Sequence, residues 1–211
     1  MAEFGALTQA VIDGDGNQVI EMVKALLDEK AEPQQILTDH LIPGMLEVGN
    51  LMADGEYFIP EVLRSAKVMQ GALDILEPLL AGGVEHSLGH VILGTVDGDI
   101  HDIGKNLVAI LLKGNGFTVD DLGVSVSTDK FVEAAQGTDG TVILGMSALI
   151  TPVLDEMSKV IEALSAAGLR DRVKVMVGGA PVTEDFANAI GADGTAGDAA
   201  GAAKLARQLL G

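Results

Sequence analysis

The feature that most constrains this chain is a change of hydrophobic period near residue 89. From Gly89 onward, short β-rich runs alternate with amphipathic stretches: HVILGTV then IGKNLVAILLKGNG, FTVDDLGV then KFVEAAQG, TVILGMS then VLDEMSKVIEALSAAG, VKVMVGG then TEDFANAIGA, and a weak DGTAGD then AAGAAKLARQLLG. Strands joined through helices run parallel, because a crossover is needed to bring the chain back to the same edge. Five such βα units predict a doubly wound, parallel five-stranded sheet, an α/β domain over residues 89–211.

Residues from about 4 to 81 obey a different rule. Apolar positions recur at three- and four-residue spacing, as in NQVIEMVKALLDEK, where Val19, Met22, Val23, Leu26 and Leu27 form one stripe. Asp15, Gly16 and Asn17 supply a turn and an N-cap before it. The next segment begins at Pro33, ends at Asp54-Gly55 and carries Pro43, which a helix tolerates only as a kink or break. Another starts with Pro60 in its first turn and ends in Gly82-Gly83. Four helices with short turns predict a small bundle, a helical domain over 1–84. Ala81 to Gly89, Gly-rich and without periodicity, reads as a linker.

Composition narrows the function. Lys and Arg number 13 against 31 Asp and Glu, so the formal charge is −18, which opposes binding to a nucleic-acid backbone. At 48% hydrophobic residues the chain has the apolar surface to fold, although aromatics are only 3%, so Val, Ile, Leu, Ala and Met must pack around 27 glycines. The absence of Cys removes thiol nucleophiles, thiolate metal sites and protein-bound iron–sulfur clusters. Redox or group-transfer chemistry must then come from a cofactor or from His, Asp, Glu, Ser and Thr. Neither a signal peptide nor an apolar run of membrane-spanning length is present, so a cytoplasmic protein is expected.

In open α/β sheets ligands bind beyond the carboxyl ends of the strands, where strand order reverses; for a flavodoxin-like order 2-1-3-4-5 that place lies between the first and third strands. After the first strand comes Asp97-Gly98-Asp99-Ile100-His101-Asp102-Ile103-Gly104-Lys105, after the third Gly145-Met146-Ser147-Ala148-Leu149-Ile150-Thr151-Pro152, and after the fourth Gly178-Gly179-Ala180-Pro181. Asp99, two residues before His101, is placed to accept a hydrogen bond from one ring nitrogen, which would fix the tautomer and raise the basicity of the other. An exposed loop histidine near an acidic N-cap fits the same residues. Gly178-Gly179 suits either a simple turn or close backbone approach by a ligand. Ser147 and Thr151 suit helix caps as well as ligand contacts.

Three familiar sites fail on inspection. Gly98 to Lys105 does not supply the Gly-x-x-x-x-Gly-Lys-Ser/Thr of a phosphate loop. Gly-x-Gly-x-x-Gly is absent after the first strand, which excludes the dinucleotide fingerprint. A phosphoacceptor receiver would use Asp97 and Asp99 but needs an Asp at the end of the third strand, where Ser147 stands. His86 and His90, four apart, lead into a strand and have no obvious third ligand; His40 in the bundle reads as a hydrogen-bonded helical histidine.

Taken together, Asp99-x-His101-x-x-Gly104, Ser147-x-Leu149 and Gly178-Gly179 resemble the cobalamin-binding signature of methyltransferase corrinoid proteins and of cobalamin-dependent methionine synthase. Gly44-Met45-x-x-Val48-Gly49 and Gly55-Glu56-Tyr57-Phe58-Ile59-Pro60-Glu61-Val62-Leu63-x-Ser65-Ala66 resemble the helical cap that precedes that domain. The likeness spans nearly the whole chain. It implies a cobalamin or related corrinoid whose cobalt is bound from below by His101, with Asp99 holding His101 and sharing its proton. Asp102 and Ile103 lie in the same signature, and the displaced nucleotide tail would pass Gly104, Ser147, Leu149, Thr151, Gly178 and Gly179. Phe58, Met45, Val62 and Met69 would cover the upper, methyl-bearing face. One departure stands out: in methionine synthases a Ser in the loop after the third strand extends the chain from the carboxylate, and the matching position here is Val153.

The resemblance further implies a carrier rather than a complete enzyme, since no catalytic barrel fits in 211 residues. Cobalt would take a methyl group from a donor-side methyltransferase and yield it to an acceptor-side methyltransferase, with a reductive activating protein as a third partner and neither nucleic acid nor membrane involved. Methylamine, betaine and aryl methyl ether donors all suit this reading, and the linker at 81–89 would be the hinge on which the cap moves aside. A cobalamin-dependent sensor is the rival, although the chain has no room for an output domain. The small subunit of a cobalamin-dependent mutase is a second rival and lacks this cap.

Overall fold

A computed structural model describes residues 5–79 and 87–210. The chain forms two compact units that change over between Ser87 and Leu88, bar the three residues Gly114–Gly116. No helix among the described residues is long and apolar enough to cross a membrane.

The first unit is helical: α1 Ala6–Asp13, α2 Gly16–Asp28, α3 Pro33–Ile36, a π-helical turn Leu37–Leu41, α4 Ile42–Ala53 and α5 Ile59–Leu76. The Asp15 carboxylate caps α2 by accepting from the Gln18 N–H. Val19 and Val23 of the α2 stripe are buried, while Met22, Leu26 and Leu27 are half-buried. Pro43 acts as expected, but its effect takes a particular form. Having no N–H, it leaves the Asp39 carbonyl without its usual helical donor, and the helix widens just before it, with the Ile42 N–H reaching back to the Leu37 carbonyl. The helix therefore continues through the proline. At the other end of the unit, Tyr57 Oη and Ser65 Oγ both donate to the Ile12 carbonyl, satisfying an acceptor that the C-terminus of α1 leaves open. His40 sits on the π turn, and its ring has no hydrogen-bond partner among the described residues. Gly82, Gly83, His86 and most of the expected linker lie outside the described residues.

The second unit is the α/β sheet: β1 His90–Thr95, α6 Ile103–Gly114, β2 Thr118–Asp121, α7 Thr128–Gln136, β3 Val142–Ser147, α8 Leu154–Ala166, β4 Val173–Gly178, α9 Glu184–Ala189, β5 Gly194–Ala196 and α10 Ala199–Leu210. All strand pairs are parallel and the order is β2-β1-β3-β4-β5, the flavodoxin-like arrangement. The three central strands are buried almost throughout, as helices on both faces require, while β2 and β5 are half-buried or exposed edges. Phe131 of α7 packs down on β1 at Gly94, where an added Cβ would approach its ring to 2.8 Å.

Candidate functional site

Register assembles the site. Across the sheet Thr95 of β1 pairs with Ser147 of β3, Ser147 with Gly178 of β4, and Gly178 with Ala196 of β5. One row at the carboxyl edge thus carries the beginnings of all three motif loops, and the switch in strand order falls between β1 and β3.

Asp99 lies in the loop after β1 with its side chain fully buried, whereas the His101 side chain is 52% exposed. The carboxylate accepts three hydrogen bonds: from the His101 backbone N–H at 2.9 Å and His101 Nδ1 at 2.6 Å on one oxygen, and from the Leu149 N–H at 2.6 Å on the other. Burial alone would raise the Asp99 pKa. The Leu149 and His101 N–H groups, the imidazole hydrogen bond and its charge outweigh that and hold the carboxyl below its ordinary value of 3.8. An ionised carboxylate only accepts, so Nδ1 must carry the imidazole proton. Nε2 is left with its lone pair and no hydrogen-bond partner among the described residues.

The second Asp99 oxygen accepts from the Leu149 N–H, and Val153 has no hydroxyl to offer it. Val153 faces Gly98, whose added Cβ would lie 3.2 Å from its Cγ1.

Around His101 the surface is apolar. Ile100 and Ile103 are 75% and 76% exposed, and Leu149 and Ile150 join them from the loop after β3. Four exposed branched side chains around one histidine at a sheet edge form the kind of patch that soluble proteins reserve for a ligand or partner. Gly104, in the first turn of α6, has open space where a Cβ would be. The hydroxyls of Ser147 and Thr151 cap no helix and have no hydrogen-bond partner among the described residues. Both remain available. Gly178 and Gly179 do more than turn the chain: Gly179 has φ +124, and a Cβ there would collide with the Ala148 carbonyl, while Ala148 N–H donates to the Gly178 carbonyl at 3.1 Å. Asp102 is tied into α6, its side chain accepting from Asn106 Nδ2 at 3.1 Å.

The expected upper-face residues fall into two groups. Met45, Val62 and Met69 are buried, and Phe58 is 66% exposed, beside exposed Ile59 and Leu63. Helical spacing does not say which stripe turns inward. His90, on β1, pairs with Asp120 at 2.7 Å; no cluster of three or more His, Cys, Asp or Glu suited to a metal exists among the described residues. Sequence reasoning missed Thr95, fully buried, whose Oγ1 donates to the His101 carbonyl at 3.0 Å.

Comparison with known proteins decides the family. Models described as B12 binding domain match residues 89–206 and, separately, residues 4–77. The chain belongs to the B12-binding corrinoid proteins. It is 43% identical over 204 residues to dimethylamine corrinoid protein 3 of Methanosarcina acetivorans, covering 97% of this chain and 95% of that one. The crystal structure of a cobalamin-binding protein from Desulfitobacterium hafniense superimposes with a TM-score of 0.83 at 33% identity, covering 98% of both chains. The methanol:cobalamin methyltransferase complex of Methanosarcina barkeri contains a chain that matches with a TM-score of 0.82 at 30% identity, covering 97% of this chain and 78% of that one. A corrinoid suits the residues present: an exposed imidazole with a free Nε2, an apolar collar to receive a macrocycle, and an open position at Gly104 with unpartnered hydroxyls nearby for a polar tail.

Proposed function

We propose that this corrinoid protein is a methyl carrier that docks alternately on a donor-side and an acceptor-side methyltransferase, with a methylamine as the donor class. The names of its relatives, a dimethylamine corrinoid protein and a methanol:cobalamin methyltransferase complex, support the reading. A bound corrinoid supplies nucleophilic cobalt to which a methyl group can be attached and from which it can be removed. The chain's own residues control the lower face. The observation that carries this is the Asp99–His101 pair: a buried carboxylate fixes the proton on Nδ1 and leaves the Nε2 lone pair of a half-exposed ring free, as an axial ligand requires. Protonation of the pair would occupy the Nε2 lone pair, so His101 and Asp99 would link proton uptake to release of the cobalt if His101 holds it.

Ile100, Ile103, Leu149 and Ile150 would exclude water from the lower face, and Gly104, Ser147, Thr151, Gly178 and Gly179 would line the path of the nucleotide tail. Asp102 and Asn106 hold the first turn of α6 beside it. In this reading Phe58, which is exposed, would cover the upper face together with Met45, Val62 and Met69, which are buried. A reductive activating protein would be a third partner.

The test has two arms. Reduced holo-protein is mixed with candidate methyltransferases and each methylated donor, and conversion of the cobalt spectrum identifies the donor; no conversion with any methylamine overturns the donor class. In the second arm, His101→Ala should lose the imidazole-ligated absorption while retaining part of its corrinoid. An unchanged spectrum removes His101 from the axial position.

A further inference from the structure

The loop that carries His101 is held by residues 121–126, the last residue of β2 and the segment after it. Gly123 accepts from the Thr95 N–H at 3.0 Å, and Val126 N–H donates to the Thr95 carbonyl at 2.9 Å, so Thr95 is fixed by its main chain on this side while its hydroxyl holds the His101 carbonyl. Ser125 grips the loop directly. Its N–H donates to the Asp99 carbonyl at 2.9 Å, its hydroxyl donates to Asp97 Oδ1 at 2.7 Å, and the hydroxyl oxygen accepts from the Gly98 N–H at 3.0 Å. To do so Ser125 adopts φ +46, a left-handed backbone that serine visits rarely. Such a conformation persists where the surroundings over-determine it.

The same segment is anchored from beneath by a buried cation. Lys105 lies in the first turn of α6, four residues after His101, with its side chain 2% exposed. Its ammonium donates to Asp121 Oδ2 and, at 2.8 Å, to Asn106 Oδ1. Asp121 in turn accepts from the Gly123 N–H at 2.9 Å. A lysine seldom gives up its hydration in this way unless it is paired, and here both partners belong to the ground around the histidine loop: Asp121 starts the gripping segment, and Asn106 bonds Asp102, the residue after His101.

We infer that Ser125 and Lys105 are positioning residues for His101, setting the Asp99–His101 geometry through the 121–126 segment. This rests on the proposed axial role of His101 for its purpose, but its geometry can be tested without a corrinoid.

Two variants separate positioning from folding. Ser125→Gly removes the hydroxyl and its two exposed hydrogen bonds but makes φ +46 unstrained, and because the loss and the relief are of similar size global stability should hold. Lys105→Met keeps the buried volume and drops the charge, and Asp121, about one-third exposed, can turn to water. In the full-length apo-protein, amide exchange of His101 and Leu149 should speed roughly fivefold in each variant, the equivalent of one hydrogen bond, with the urea midpoint within error of wild type for Ser125→Gly. Imidazole nitrogen spectra should show Nδ1–H losing its single sharp signal. With cobalamin added, the fraction coordinated by imidazole should fall several-fold while total cobalamin retained on gel filtration stays level. Unchanged exchange and an unchanged imidazole signal in Ser125→Gly overturn the inference, whatever Lys105→Met does to folding. If wild type itself shows no imidazole-coordinated cobalamin, the axial role of His101 falls, while the apo measurements still decide whether Ser125 and Lys105 position it.

Discussion

Asp99→Asn changes one atom in a fully buried side chain and has a consequence that can be worked through bond by bond. The carboxylate accepts from Leu149 N–H, His101 N–H and His101 Nδ1–H. An asparagine has one acceptor oxygen and one donor nitrogen. If its oxygen faces Leu149, its amide hydrogens face His101, where the part-buried backbone N–H loses its acceptor. The imidazole can relieve the conflict by moving its proton to Nε2, so that Nδ1 accepts from the introduced side-chain amide. Losing one buried acceptor costs about 1–3 kcal/mol, and weakening two charge-assisted bonds adds about another 1 kcal/mol, for a total of roughly 2–4 kcal/mol. Urea unfolding of the apo-protein measures that loss. The tautomer change is the sharper readout, because Nε2–H has no lone pair to offer a metal. Nitrogen chemical shifts of the imidazole should move from the Nδ1–H to the Nε2–H pattern, and the variant should bind cobalamin without imidazole coordination. A stability loss below about 0.5 kcal/mol together with a retained Nδ1–H signal would refute the reasoning.

Other outcomes follow from the same geometry. Gly179→Ala forces a Cβ into the Ala148 carbonyl at φ +124 and should cost about 3 kcal/mol or more in urea unfolding; Gly104→Ala meets nothing within 4 Å and should leave the apo-protein as stable or up to about 1 kcal/mol more so, while weakening cobalamin retention. Thr95→Val deletes the bond to the His101 carbonyl and should cost roughly 1 kcal/mol, read by the same unfolding assay. Tyr57 is the chain's single tyrosine and there is no tryptophan, so phenolate absorbance titrates one group. Burial, then the charge of Asp13, raises its pKa above 10.0. Its folded form therefore holds the proton longer than the unfolded form, so its contribution to stability is complete below about pH 10 and is lost as pH rises through the higher folded value. A phenolate transition at or below that of free tyrosine would contradict this.

The alternation of β runs and helices was legible because each element in an α/β sheet announces itself locally: a continuous apolar run buried on two faces, then a helical stripe. The motif loops were legible for the same reason, since chain order in a parallel sheet sends every βα loop to one edge. What stayed hidden is what tertiary structure decides. Pro43 marks a disturbance, but whether the helix breaks or widens into a π turn depends on packing around residues 37–41. The bundle spacing places Met45, Val62 and Met69 on helices without telling that all three turn inward, while Phe58, just ahead of α5, stays exposed. Lys105 reads as a solvated first-turn lysine until Asp121, distant in sequence, is seen beside it. Ser125 carries no local mark of its left-handed backbone, which glycine or asparagine would have shown.

That a main-chain amide, Leu149 N–H, faces the second Asp99 oxygen bears on where a proton can rest. A serine beside the second carboxylate oxygen can rotate and exchange its proton with solvent, so it can extend a relay. A backbone N–H donates and keeps its proton. At 2.6 Å it also favours the ionised carboxylate, and it is the leading hydrogen bond among those that depress the Asp99 pKa. If His101 is the axial ligand proposed above, a proton taken up by the pair would rest on the half-exposed imidazole, in reach of solvent, rather than on Asp99, whose carboxyl is held below its ordinary value. Leu149 is therefore more than apolar lining: its main chain helps hold Asp99 ionised, and its side chain is exposed in the loop after β3. A substitution that preserves the Leu149 backbone, such as Leu149→Ala, should leave the Asp99–His101 tautomer intact and loosen only the collar. Leu149→Pro should abolish the amide bond, raise the Asp99 pKa and lower imidazole coordination together, and nitrogen shifts at His101 read the two variants apart.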